Sequence, residues 1–141
     1  MSRAYISVAT RRVVASRAQY CCEYCQTQSR LIAVALPLDH ITPTVLGGKS
    51  TIDNLCLACN PCNSYKADKI RAIDPQTGDE VALFNPRRQK WSMHFAWSDD
   101  GVRVIGLTPI GRATVACLKI NRVHAIASRT IWVTAGWHPP F

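Results

Sequence analysis

Apolar residues recur along this chain in short segments whose spacing predicts alternating helices and strands. In the first part, the spacing predicts a helix over 11–20 with Thr10 as its cap. The uninterrupted apolar run 31–36 predicts a buried strand. A second short strand is predicted over 38–43, and Pro37 separates the two because proline disfavours a central strand position.

The middle of the chain is predicted to follow the order loop, strand, helix. Gly47 and Gly48 lie in a predicted loop over 44–50, where glycine permits backbone angles that are closed to other residues. A short strand is predicted over 54–57. An Asn-Pro pair then favours the first turn of a helix, which is predicted over 60–71.

The second half of the chain predicts a hairpin followed by two helices. Large apolar residues alternate with small or polar ones over 91–97, which is the period of a half-buried strand. An Asp-Asp-Gly turn leads from it into a strand over 102–105. Helices are predicted from Thr108 onward and over 123–132. The mixture of elements predicts an α+β fold.

Length and composition limit the architecture and the class of protein. A chain of 141 residues predicts one domain over 1–141. Its 48% hydrophobic and 18% charged content exclude a disordered, collagen-like or coiled-coil protein. The longest apolar run, 31–38, is far shorter than the roughly 20 residues that cross a bilayer. Because no secretory signal is recognisable either, we expect a cytoplasmic protein without a membrane partner.

Seven cysteines in so short a chain need an explanation. A reducing compartment disfavours disulfides and favours metal binding or catalysis. Two Cys-x-x-Cys pairs have the spacing of zinc knuckles, and together they provide the ligands Cys22, Cys25, Cys59 and Cys62. Cys21 is an alternative to Cys22, Cys56 forms another such pair with Cys59, and reduced structural thiols are the alternative to a metal site. Four thiolates leave no open coordination position, so the predicted zinc is structural.

The formal net charge of +8 indicates a polyanionic partner such as nucleic acid, although it also fits ordinary solubility. Its basic excess lies at both flanks of the chain, in 1–40 and 76–141, with little in 41–75. The segment between the two Cys-x-x-Cys pairs contains the residues with the clearest chemical pattern.

Residues 10–70 resemble the HNH nuclease family. The resemblance rests on Asp39-His40, Gly47-Gly48, Asp53-Asn54-Leu55, Cys62-Asn63 and Lys66, placed between the sequences CEYC and CNPCN. It implies a ββα-metal core over 10–72 that the zinc site of four cysteines holds together. The remaining part, 73–141, is similar to an extension on small bacterial HNH-like proteins, through LFNPR and GLTPIGRATV, and is expected to pack on the core as a β-hairpin plus helices.

The resemblance also implies roles for individual residues. His40 would be the general base, since an imidazole can accept a proton from water at neutral pH. Asp39 and Asn63 would bind a catalytic divalent ion, for which oxygen ligands favour Mg²⁺ or Mn²⁺. Asn54 would hold the histidine strand through hydrogen bonds across the loop. The candidates for contacts with the DNA backbone are Lys66, Lys49, Lys69 and Arg71.

Three functions are consistent with these features. The first is a metal-dependent HNH endonuclease that hydrolyses phosphodiester bonds in DNA and nicks one strand per site, so that a double-strand break needs a homodimer or two encounters. The second is a zinc-stabilised nucleic-acid-binding module without catalytic activity. The third is a structural or interaction protein.

Overall fold

The computed structural model describes residues 5–141, in which short antiparallel strand pairs alternate with helices. The helices are α1 (Val8–Arg17), α2 (Ser29–Ile32), α3 (Asn60–Lys66), α4 (Trp91–His94), α5 (Pro109–Cys117) and α6 (Val123–Thr134). The strands are β1 (Leu38–His40), β2 (Leu55–Leu57), β3 (Arg71–Ile73), β4 (Glu80–Ala82), β5 (Phe95–Trp97) and β6 (Val104–Gly106). The predicted α+β class is confirmed.

The described chain forms two compact units, and both are discontinuous in sequence. Unit 1 comprises Met1–Ile70 and Asn85–Arg88, and unit 2 comprises Arg71–Phe84 and Gln89–Phe141. Within residues 5–141, none of the helices has both the length and the apolar character that a membrane span requires. The predicted single domain over 1–141 and the cytoplasmic location stay predictions.

A two-stranded sheet followed by a helix forms the centre of unit 1. Strand β1 pairs with β2 in antiparallel register, with Asp39 opposite Cys56 and His40 opposite Leu55. All of β2 is buried, and α3 begins three residues after it. Helix α1 packs against β2 through buried Val14. This order of elements is the predicted ββα core.

Helix α1 begins and ends three residues earlier than the sequence predicts. Ser7 is the N-cap, because its hydroxyl accepts a hydrogen bond from the backbone N–H of Thr10. At the other end, Gln19 and Tyr20 adopt positive φ angles of 53° and 58°, which a helix cannot continue through. Thr10 therefore lies inside the helix and is not its cap.

The buried strand predicted over 31–36 is wrong. Helix α2 ends inside this run, and Ala33 follows it in the left-handed region at φ 58°. Val34 is 50% exposed, and Leu36 is the buried member of the run. A short apolar run does not by itself distinguish a strand from other structure, and in the described chain this run has no strand partner. Helix α3 also ends earlier than predicted, because Ala67 has a φ of 51°.

Unit 2 contains a hairpin that the sequence pattern does not predict. Strands β3 and β4 pair in antiparallel register on either side of a turn that begins at Asp74. The fully buried carboxylate of Asp74 accepts hydrogen bonds from the N–H of Gln76 and the hydroxyl of Thr77. It also pairs with the Arg112 guanidinium at 2.9 Å. The Asp-Pro-Gln-Thr-Gly sequence is therefore the turn between β3 and β4.

The rest of unit 2 follows the predicted order of a hairpin and two helices, with one exception. Residues 91–94 form the helical turn α4, so the predicted strand over 91–97 is restricted to β5. Strand β5 pairs with β6, as the turn sequence predicts. Helix α5 begins after Thr108, whose hydroxyl accepts a hydrogen bond from the N–H of Gly111. Helix α6 ends at Thr134, two residues beyond its predicted end.

Candidate metal centre and active site

Four buried cysteines form a cluster with the dimensions of a metal site. The sulfur atoms of Cys22, Cys25, Cys59 and Cys62 all lie within 4.8 Å of one another. Sulfurs that share one zinc ion at about 2.3 Å lie about 3.8 Å apart, and the Cys25 and Cys59 sulfurs are 3.6 Å apart. This donor set fits a closed tetrahedral zinc site. Cys21 and Cys56 are buried outside the cluster, so the structure selects one of the registers that the sequence leaves open.

Local backbone geometry brings each pair of cysteines to the cluster. The first pair lies on a tight turn in which the N–H of Cys22 donates to the Thr27 carbonyl and the N–H of Cys25 approaches the Cys22 sulfur at 3.5 Å. Gln26 closes the turn with a φ of 63°. In the second pair, Cys59 is the N-cap of α3, and Cys62 lies in the first helical turn.

The buried thiols of the cluster influence one another's pKa values. Hydrogen bonds from the Cys22, Cys59 and Cys62 thiols hold the pKa of Cys25 well below its usual range, although burial acts in the opposite direction. Burial raises the pKa of Cys22. One thiolate can therefore form among neighbouring thiols, and a bound metal ion would favour loss of the remaining protons.

The two residues inside the first Cys-x-x-Cys turn connect the cysteine cluster to the hairpin. Glu23 pairs with Leu57 in both directions: its N–H donates to the Leu57 carbonyl at 2.8 Å, and its carboxylate accepts from the Leu57 N–H at 2.7 Å. The buried hydroxyl of Tyr24 donates to Asp39 at 2.9 Å. Burial, together with the nearby Cys56 and Asp39, raises the pKa of Tyr24, so this hydroxyl remains a donor.

Asp39 forms a buried ion pair with Lys66. The Lys66 ammonium lies 3.0 Å from Oδ2 of Asp39 and also donates to the backbone carbonyls of His40 and Ile41. Lys66 is 1% exposed, and three acceptors match the three protons of an ammonium. This burial disagrees with the phosphate contact predicted for Lys66. The lysine instead holds β1 against α3.

His40 follows Asp39 directly in β1. His40 is partly exposed, and its Nε2 lies 2.8 Å from the hydroxyl of Ser50. Ser50 follows the Gly-Gly loop and thereby fixes the orientation of the imidazole. His40 is therefore the more accessible of the two residues, since Asp39 is buried.

Asn54 connects this loop to the hairpin. Its amide oxygen accepts from the N–H of Thr42, and its amide nitrogen donates to the carbonyls of Thr42 and Lys49. Gly48 fits into the same bridge, because a Cβ atom there would lie 1.7 Å from the Thr42 carbonyl oxygen. These contacts fix the path of the chain between His40 and β2.

A comparison with protein families matches residues 22–69 to the model of the HNH endonuclease. The chain carries an HNH domain. The matched range contains both Cys-x-x-Cys pairs and the hairpin with Asp39 and His40. Neither a curated protein nor a solved structure matches the chain. The HNH resemblance that the sequence predicts is confirmed, and the family indicates a nuclease that acts on nucleic acid.

The HNH domain also offers oxygen atoms for a hard cation. Oδ2 of Asp39 is used by Lys66 and Tyr24, whereas Oδ1 of Asp39 has no hydrogen bond within residues 5–141. Asn63 lies one helical turn before Lys66 on α3, and its side-chain amide has no hydrogen bond within the same residues. Carboxylate and amide oxygens are ligand types that Mg²⁺ and Mn²⁺ accept.

The other basic residues predicted to contact DNA have different environments. Lys49 is exposed in the loop of the HNH domain. Lys69 is exposed, and its ammonium donates to the Tyr65 carbonyl at 3.1 Å. Arg71 lies in unit 2, where its guanidinium donates to the Glu80 carbonyl. Lys49 and Lys69 thus remain candidates within the HNH domain.

The sequence pattern did not single out several residues that support the HNH domain. Glu23 and Tyr24 have no pattern beyond their place between two cysteines. Ser50 follows the Gly-Gly loop, and only the structure reveals its contact with His40. Arg17 on α1 also belongs to this group, since it donates to two backbone carbonyls of the HNH domain at Ile52 and Leu55.

Proposed function

We propose that this protein is a metal-dependent endonuclease that hydrolyses phosphodiester bonds in DNA, with His40 as the general base. The observation that carries the proposal is the partly exposed position of His40 in the HNH hairpin, oriented by Ser50 at 2.8 Å. Asn54, Lys66 and Tyr24 act as positioning residues, because they fix the loop and strand that present the imidazole.

The reaction follows from these positions. His40 takes a proton from a water molecule, the resulting hydroxide forms a new bond to phosphorus, and the bond from phosphorus to the leaving oxygen breaks. The leaving oxygen ends as a hydroxyl after it takes up a proton. Asp39 and Asn63 would hold a divalent ion, which would supply positive charge to offset the charge on the phosphate. Zinc at the four cysteines supports the fold and takes no part in the reaction.

One such site acts on one strand, so the monomer is expected to nick DNA. Cleavage of both strands then requires a homodimer or two encounters.

The test is cleavage of supercoiled plasmid by zinc-loaded protein in Mg²⁺, Mn²⁺ or EDTA. We expect nicked circles with the divalent ions, none in EDTA, and a loss of at least about 100-fold in rate for His40→Ala. His124→Ala is the matched control, because His124 is exposed in unit 2 and should leave the rate unchanged. Full activity of His40→Ala would overturn the mechanism. Salt-sensitive DNA binding without cleavage would instead identify a binding module.

A further inference from the structure

A cavity of about 730 Å³ lies in unit 1 beside His40. Its lining consists of Thr10, Arg17, Ser50, Thr51, Ile52, Asp53 and Arg87. Ser50 connects the cavity to the active site, because the same hydroxyl contacts Nε2 of His40 at 2.8 Å. A ligand in this cavity would therefore be adjacent to a substrate at His40.

Two arginines reach the cavity from outside the residues that match the HNH family. Arg17 comes from α1, and its guanidinium donates to the carbonyls of Ile52 at 3.0 Å and Leu55 at 2.7 Å. These bonds fix the guanidinium in place and use two of its five N–H groups. The other three have no acceptor within residues 5–141, and Arg17 lines the cavity.

Arg87 comes from the segment Asn85–Arg88, which returns to unit 1 after the β3–β4 hairpin. It forms an ion pair with Glu23, and its side chain is 15% exposed. Its Nε–H is buried and has no acceptor within residues 5–141. A buried donor without an acceptor costs free energy, and Arg87 is among the residues that line the cavity.

The two guanidinium groups also influence each other. Burial, together with the positive charge of Arg17, lowers the pKa of Arg87 to about 10. An anion between two neighbouring cations is bound more strongly than an anion beside one of them. Asp53 is the carboxylate among the lining residues, and it is exposed and bonded to the Thr51 hydroxyl.

We propose that Arg17 and Arg87 bind a backbone phosphate of the DNA strand adjacent to the phosphodiester that is cleaved. The inference rests on the proposed function, because it takes DNA as the substrate. Arginine forms bidentate hydrogen bonds with phosphate, and the hydroxyls of Ser50 and Thr51 are further donors of the kind that contact phosphate. The subsite fixes the register of the strand relative to His40.

Binding as a function of salt tests the subsite directly. Zinc-loaded protein without Mg²⁺ is titrated into a short fluorescein-labelled DNA duplex, and the affinity is followed by anisotropy. The slope of log K against log salt is negative. It should become less negative by about one in Arg17→Gln and in Arg87→Gln, because each variant removes about one phosphate contact. Arg103→Gln is the matched control, an exposed arginine of unit 2 that should leave the slope unchanged.

A second pair of variants avoids the arginines, which also support the fold. Asp53→Asn removes the carboxylate from the lining without loss of a backbone contact, so it should tighten binding several-fold. Asp99→Asn removes the same charge from the exposed turn of unit 2 and should have no such effect. Equal effects of Asp53→Asn and Asp99→Asn, or unchanged slopes for both arginine variants that retain zinc, would overturn the subsite.

Plasmid cleavage in parallel separates the two proposals. Cleavage that depends on His40, together with unchanged salt slopes in the arginine variants, supports the proposed nuclease and overturns the subsite. If the arginine variants have less negative slopes and the wild-type protein does not cleave DNA, the subsite is supported and the catalytic assignment is overturned.

Discussion

The ammonium of Lys66 lies 3.0 Å from the carboxylate of Asp39, and their side chains are only 2% and 5% exposed. The same ammonium donates to the carbonyls of His40 and Ile41. One buried lysine therefore neutralises the charge beside the active site and fixes the backbone of the residue that is proposed to react. Its contribution is to the position of His40 and to stability.

Removal of this lysine should destabilise unit 1 strongly. Lys66→Met leaves a buried carboxylate without its cation, a change that typically costs about 3–5 kcal/mol. Lys69→Met is the control, because Lys69 is exposed and should lose about 0.5 kcal/mol or less. Urea unfolding followed by circular dichroism, with zinc present, measures both. Equal unfolding midpoints for the two variants would contradict the structural role of Lys66.

Zinc content should distinguish the cysteines of the cluster from those outside it. Cys59→Ser removes a ligand from the proposed zinc site and should release the metal and destabilise unit 1, because metal binding energy contributes to folding. Cys56→Ser is the matched control, since Cys56 is buried in β2 outside the cluster. Metal analysis of the purified proteins should find one zinc per chain in Cys56→Ser. Zinc lost from Cys56→Ser but retained by Cys59→Ser would reassign the site.

The two glycines of the loop should respond differently to substitution. Gly48→Ala places a Cβ against the Thr42 carbonyl and should break the Asn54 bridge, at a cost of about 1–3 kcal/mol. Gly47 has a φ of +90° and no heavy atom within 4 Å of a Cβ, so Gly47→Asn meets backbone strain but no clash. It should lose less stability than Gly48→Ala, because asparagine adopts positive φ more readily than other residues with a side chain. Thermal unfolding compares the two variants. A stable Gly48→Ala protein would show that the loop does not depend on this contact.

The Asp74–Arg112 ion pair should give unit 2 a defined dependence on pH. The hydrogen bonds from Arg112 hold the pKa of Asp74 well below its usual range. In the unfolded chain this carboxyl titrates near pH 4, so below that pH the unfolded state binds a proton that the folded state does not. The stabilisation is fully present above about pH 4–5 and is lost as the pH falls toward the folded pKa.

Tryptophan fluorescence isolates this effect, because Trp91, Trp97, Trp132 and Trp137 all lie in unit 2. The free energy of unfolding, measured in urea by this signal, should fall with acid in the wild type. It should fall less steeply in Asp74→Asn, which has no carboxyl to protonate at this position. Parallel pH profiles for the two proteins would exclude Asp74 as the source.

The parts of the fold that were predicted correctly have strong local signals. The Cys-x-x-Cys spacings indicate the four members of the cluster, and Thr108 followed by proline marks the start of α5. The 31–36 run was interpreted wrongly because apolar residues alone do not specify a strand partner. The β3–β4 hairpin was missed because its strands are short and exposed at alternate positions.

The candidate site was predicted in outline, and its supporting contacts were not. Asp39 and His40 were assigned from the family pattern. The burial of Lys66 depends on Asp39, Tyr24 and the backbone of β1, which lie far from it in sequence. Arg17 and Arg87 reach one cavity from 70 residues apart, a relationship without any sequence pattern.

The return of Asn85–Arg88 to unit 1 determines how the chain can be dissected. The backbone passes between the units after residue 70, after residue 84 and after residue 88, so no single cut yields both units complete. A fragment that ends at residue 72 would leave Glu23 without Arg87, and one that begins at residue 22 would also lose Arg17. The shortest fragment that retains every residue of unit 1 therefore includes the first hairpin of unit 2. A fragment limited to the residues of the HNH match would lack both arginines of the proposed phosphate subsite.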